Sequence, residues 1–219
     1  MTNTQWESLS VCIGALFDGV ERHTTNFLNA CMNGDVDIVD ILLQLECVDP
    51  STNNNSAILI ACTWEHTDVV HRLLQDDRTD PSDNNNEPIK VASQYGYIAI
   101  VDRLLQEDMI TVDPYGDENM AFLVASLKGH IAVVDRFLLL QGPLIVNNCA
   151  FCDAILNGHI AVVDRLLQDD RFNPTVLNNA AIRKACEYGH TDIVNLLLQD
   201  KRVEPMREYV FSRIYEYTT

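Results

Sequence analysis

The sequence predicts an all-α fold, a solenoid of stacked helix-turn-helix units with protruding turns. Three observations carry that prediction. Alanines at 30, 61, 92, 125, 154 and 185 recur at intervals of 31, 31, 33, 29 and 31 residues. Around each alanine lies the same apolar pattern at helical spacing. Between the patterns an acidic residue or Asn precedes Pro, at Asp49-Pro50, Asp80-Pro81, Asp113-Pro114, Asn173-Pro174 and Glu204-Pro205. A period of this size marks small supersecondary units that bury their apolar faces against one another.

Residues 1–24 lack the repeat pattern. Ser8 is placed to cap a helix running to Val20, with Leu9, Cys12, Ile13, Leu16 and Val20 at helical spacing, and this segment is expected to cover the open end of the stack. The apolar run Leu9 to Phe17 has no basic leader and meets Asp18, so it reads poorly as a signal peptide.

Residues 25–205 hold six units. Each opens with a short helix carrying an apolar residue three before its alanine, at Phe27, Ile58, Ile89, Phe122, Phe151 and Ile182, which puts both on one helical face. A second, longer helix follows, marked by Ile38-Val39, Val69-Val70, Ile100-Val101, Val133-Val134, Val162-Val163 and Ile193-Val194. Proline then stops it, because its ring removes a donor and holds the preceding residue extended. The Asn runs at 53–55, 84–86, 147–148 and 178–179 are expected to form tight turns before the next helix, since Asn tolerates the left-handed region. Residues 206–219, with Tyr209, Val210, Phe211, Ile214 and Tyr215 at helical spacing, are expected to be a C-terminal capping helix.

The segments NGHIAVVDRLL (157–167) and YGHTDIVNLLL (188–198), together with a connection of about ten residues between units, resemble ankyrin repeats. Asp-x-Arg-x-Asp-Pro and Asn-rich units of this kind are similar to those abundant in giant viruses and their protist hosts. The sequence also departs from the family. Its Thr-Pro-Leu-His opening survives only as Glu87-Pro88-Ile89-Lys90, and its turn glycine is replaced by Asn54, Asn85, Asn147 and Asn178. Asp77, Asp108 and Asp170 stand where a glycine would end the second helix. Glu65 and Tyr97 break the Gly-His pair, and Gly142-Pro143 disturbs the fourth connection.

The resemblance implies a non-enzymatic module that binds a partner protein on a concave surface of turn tips and first-helix faces. Carried onto this chain, the helix positions are Met32 and Asn33, Thr63 and Trp64, Gln94 and Tyr95, Leu127 and Lys128, Leu156 and Asn157, Glu187 and Tyr188. Trp64, Tyr95 and Tyr188 are expected to line one face. Among the tips, Ile145, Val146, Val176 and Leu177 are apolar, and either meet a partner or fold down onto their own helices. A second reading makes the chain an adaptor recruiting substrates to a ubiquitin-ligase-type machine, though neither end shows a docking segment.

The residues that carry chemistry elsewhere have simpler roles here. His66, His130, His159 and His190 recur one per unit, and the resemblance implies that each hydrogen-bonds a neighbouring loop. Cys149-Ala-Phe-Cys152 is a CxxC without a second ligand pair, so packing is the better reading than zinc or redox chemistry. The paired acids Asp76-Asp77 and Asp169-Asp170 read as solvated surface. No phosphate loop, nucleophile elbow, HExxH or EF-hand motif occurs, so neither enzymatic activity nor a cofactor or metal is expected.

A net charge of −17, from 15 Lys and Arg against 32 Asp and Glu, disfavours nucleic acid and anionic membranes and would steer a basic partner inward. No run approaches the roughly 18 apolar residues of a membrane span. Seven cysteines, three of them (Cys31, Cys62, Cys186) directly after a landmark alanine, suit free thiols in a reducing compartment. A monomer in the cytoplasm, the host's if the protein is viral, is the expected setting.

Overall fold

The computed structural model describes residue 19 and residues 21–106, 116–140 and 148–206, with side chains for all but 116–119, 176–178 and 204–206. The expected helix before Val20, the helix after 206, the tips Ile145 and Val146, and the Gly142-Pro143 connection lie outside the described residues. Every element among the described residues is helical. After α1 (21–33) come α2 (Val36–Leu43), α3 (Thr52–Thr63), α4 (Thr67–Leu73), α5 (Asp83–Tyr95) and α6 (Ile98–Leu104). They are followed by α7 (Gly116–Lys128), α8 (Ile131–Leu138), α9 (Cys149–Leu156), α10 (Ile160–Leu167), α11 (Val176–Glu187) and α12 (Thr191–Gln199). A 3-10 segment, Lys201–Met206, comes last.

The chain divides into two compact units, residues 1–92 with 102–113 and residues 93–101 with 114–219. In the first, α3 packs on α4 and α2 on α4. In the second, α7, α9 and α11 pack in succession as one layer, and α8, α10 and α12 as another. The landmark alanines are the reason this stacking is close. All six are buried, and so are the apolar residues three positions earlier. Only a methyl group fits where one first helix crosses the next, so the larger Phe or Ile fills the space one turn away. Within the second unit Phe122 packs edge-on against Phe137 at 6.3 Å and lies 6.1 Å from Phe172.

The turn inside each helix pair follows from a residue with positive φ, a glycine in every pair but the second, where Glu65 takes its place. Glycines 34, 96, 129, 158 and 189 take φ between +73° and +79°. The next residue's N–H then reaches back to the landmark alanine, as from His130 to Ala125 O at 2.9 Å, and closes the first helix with a left-handed cap. The histidine becomes the N-cap residue of the second helix without capping it by its side chain, because the ring is used elsewhere.

The Asn runs at 53–55 and 84–86 do form turns, and more extreme ones than isolated left-handed residues. Asn148 has φ −67° as the N-cap of α9, and Asn179 is left-handed at φ 59°. Asn53, Asn54 and Asn55 all lie near φ 55°, and Asn84, Asn85 and Asn86 repeat the geometry. Three successive left-handed residues amount to nearly one turn of left-handed helix, which Asn tolerates better than other residues with a Cβ. Asn55 is buried and secures its turn: its Nδ2 donates to Asp83 Oδ2 at 2.9 Å and its Oδ1 accepts from the Asp80 N–H at 2.8 Å. Upstream, Asp49, Asp80 and Asn173 each accept from the N–H and hydroxyl of the Ser or Thr two residues on, bridging the intervening proline.

One expectation is overturned. Asp77 and Asp170 are exposed, but Asp76 and Asp169 are not solvated surface. Their side chains are only 13% and 15% exposed because Arg78 and Arg171 clasp them. The arginine two residues after the acid folds back onto it and reaches the preceding repeat: Arg78 donates to Val48 O and Leu43 O, and Arg171 to Leu138 O. Asp200 and Arg202 repeat the device, with Arg202 on Leu167 O and Phe172 O. The guanidinium has donors enough to serve a carboxylate and stray carbonyls together, so each Asp-x-Arg works as a latch between consecutive repeats.

Candidate protein-interaction surface

Each first helix ends at its left-handed turn, so the two residues before the turn lie at the edge of the packing that buries the rest. In the first unit these include Met32 and Trp64, both exposed, Trp64 by 58%. The His66 ring is what fixes these two turns together: Nε2 bonds Met32 O at 2.8 Å, and the ring lies over Gly34.

The second unit repeats the arrangement. Ring-to-carbonyl bonds join His130 to Gln94 O at 2.9 Å, His159 to Leu127 O at 2.9 Å and His190 to Leu156 O at 3.1 Å. A bare glycine is required beneath each ring. A Cβ on Gly96, Gly129 or Gly158 would stand 2.4, 2.5 or 2.8 Å from the nearest histidine atom. The exposed residues at this level are Gln94, Tyr95, Lys128, Asn157, Glu187 and Tyr188, with Tyr95 49% and Tyr188 54% exposed. Tyr95 stacks on Tyr97 at 5.6 Å, while Tyr188 stacks on His190 at 6.4 Å beneath the Lys184 ammonium at 5.7 Å. Leu127 and Leu156 are half-buried, since the histidine bonds draw the next repeat across them. Val176 and Leu177 open α11, with side chains outside the described residues.

Two ladders that the sequence reading missed hold these surfaces in place. One is the Asp-x-Arg latch, visible in the sequence as a recurring triplet just before the Asp-Pro, Asn-Pro or Glu-Pro step. The other joins successive second helices: Arg72 Nε bonds Asp40 Oδ1 at 2.6 Å, and Arg165 bonds Asp135 at 2.6 Å. Its signal was an Asp ten and an Arg eleven residues after the landmark alanine. Within the latches the arginine's hydrogen bonds hold Asp76, Asp169 and Asp200 below the usual carboxylate range.

The remaining chemistry is that of a packed interior. Burial pushes the Cys31 thiol up to about 12 and raises Cys62, Cys152 and Cys186. Among the described residues no group of three or more His, Cys, Asp or Glu is arranged to hold a metal ion, and no helix is long and apolar enough to cross a membrane.

No curated protein matches the chain. Residues 27–115 match the family model described as ankyrin repeats (3 copies). The matched span runs from α1 past α6, over the helix pairs and Asn turns described above. Ankyrin repeats are thus present in residues 27–115 of the chain.

Proposed function

We infer that this chain is a non-enzymatic protein-interaction module. Ankyrin repeats are generally protein–protein interaction modules. What supports the reading here is the exposure of large aromatic side chains on a framework tied by buried methyls, ring-to-carbonyl bonds and arginine latches. Aromatic residues bury much area at little entropic cost, and a preorganised surface lowers the cost of association. Met32 and Trp64 serve this role in the first unit. In the second it falls to Gln94, Tyr95, Lys128 and Tyr188, with Leu127 and Leu156 beneath and the apolar tips Ile145, Val146, Val176 and Leu177 as further contacts.

The same proposal extends the repeats to six over 25–205, with 1–24 and 206–219 as caps. Ile38 supports the first cap. It is 47% exposed, whereas Val69, Ile100, Val133, Val162 and Ile193 at the equivalent position are at most 1% exposed. Residues 1–24 supply the apolar side chains that would cover it.

The test is capture of a partner from the native host with the full chain, then affinity measurement on Trp64→Ala with Tyr95→Ala. Binding is expected to fall at least tenfold, with the melting transition nearly unchanged because both side chains are largely exposed. Unaltered affinity would remove these residues from the interface.

A further inference from the structure

We propose that the paired turns of the first unit, residues 32–37 and 64–68, receive an arginine or lysine side chain of the partner. This rests on the interaction reading above and names the partner's chemistry. The starting point is Glu65. It holds φ 62° at the position where the other repeats place glycine. A side chain there is strained, and Glu lacks the local hydrogen bonding that lets Asn accept the left-handed region. A second substitution accompanies the first. Glycines 34, 96, 129 and 158 are each followed one repeat later by a histidine, whereas Glu65 is followed by Tyr97. Strain retained in one repeat alone points to use of the side chain it carries.

The surroundings say what that use is. Trp64, immediately before Glu65, is the most exposed aromatic side chain of the described residues, and half-buried Ile60 lies one turn behind it. Exposed Met32 belongs to the neighbouring turn, joined by the His66 bond. Asp35 occupies the N-cap position of α2 yet makes no side-chain cap hydrogen bond. Asp37 and Asp68 are exposed in the first turns of α2 and α4. Residues 29–38 and 60–70 contain these four carboxylates and no Lys or Arg. An exposed indole on joined turns that carry four carboxylates suits a guanidinium or ammonium group: the ring attracts the cation and carboxylates accept its hydrogen bonds. The net charge of −17 steers such a partner inward. In the second unit Tyr188 already has Lys184 over its ring, and Lys128 is exposed.

A random peptide library displayed against the full chain tests this. Recovered peptides are then titrated against the unaltered protein, Trp64→Ala, Glu65→Gly, Tyr95→Ala, Tyr188→Ala, and a control with Asp164→Asn and Asp192→Asn. The expected result is enrichment in Arg or Lys and about tenfold weaker binding for each first-unit variant, with the control within about twofold. Glu65→Gly also raises the melting midpoint by about 2–4 °C, because the strain is released. Equal weakening by the control would reduce the effect to diffuse attraction and overturn the proposal. Neutral or acidic peptides that still need Trp64 would overturn the cationic partner while leaving the interaction reading intact. Peptides indifferent to Trp64, Tyr95 and Tyr188 alike would overturn that reading as well.

Discussion

Ser93 and Ser126 occupy the position directly after a landmark alanine, where Cys31, Cys62 and Cys186 stand in other repeats. Both are completely buried, and neither hydroxyl has a hydrogen-bond partner. A thiol loses little by such burial, whereas an unsatisfied hydroxyl costs about 1–3 kcal/mol. Ser126→Ala is therefore expected to stabilise the protein by about 1 kcal/mol, since it removes the orphaned group and improves helix propensity. Thermal denaturation checks this as an increase in melting midpoint of about 2–4 °C. The cysteines marked this site in the sequence as small and buried. The cost of a serine there depends on whether a carbonyl comes within reach, and spacing carries no information about that.

At the scale of the helix pair, the turn glycines separate two costs. Gly189 takes φ +73° with nothing within 4 Å of an added Cβ, whereas Gly129 takes φ +78° with His159 Nδ1 only 2.5 Å away. Gly189→Ala is expected to cost about 1–2 kcal/mol, the left-handed penalty alone. Gly129→Ala adds a clash and should cost about 2–4 kcal/mol. Urea denaturation of both variants, of His159→Ala, and of Gly129→Ala combined with His159→Ala distinguishes the terms. The double variant should lose less than the sum of the single changes, because removing the ring also removes the clash. Equal losses for Gly129 and Gly189 would show that the histidine does not press on the glycine. Part of this element was legible: the alanine and the β-branched pair implied two helices, whereas the left-handed turn at the glycine between them emerged from the structure. The Asn runs were legible as turns, but not as three consecutive left-handed residues. That conformation depends on Asn55 reaching Asp80 and Asp83, 25 and 28 residues away.

Across the molecule, the Asp-x-Arg latches tie repeats together and make stability depend on pH. Arg171 lowers the pKa of Asp169 chiefly by side-chain hydrogen bonding. A carboxylate whose folded value is depressed contributes stability above its unfolded value, about 3.9, and that contribution is lost as pH falls through the lower folded value. Arg171→Gln is expected to destabilise the protein by about 1–3 kcal/mol at neutral pH, since it leaves Asp169 and the Leu138 carbonyl short of donors. The deficit should shrink below about pH 4, as Asp169 protonates in both states. Urea titrations at several pH values measure it, and a deficit independent of pH would mean that the latch acts through packing alone.

Sequence alone determined the repeat, because a unit that cannot bury its own apolar face must show the same small and β-branched residues at a fixed period. Sequence also located the exposed helix ends, since they fall between buried positions. Only the tertiary structure decided which polar residues meet. Asp76 differs from Asp77 because Arg78, two residues on, clasps it while reaching Leu43 of the preceding repeat, and Leu127 differs from Lys128 because His159 arrives from the next repeat. Burial recurs along the chain and can be counted. Pairing depends on where a neighbouring backbone places its carbonyls, and that exists only once the repeats have stacked.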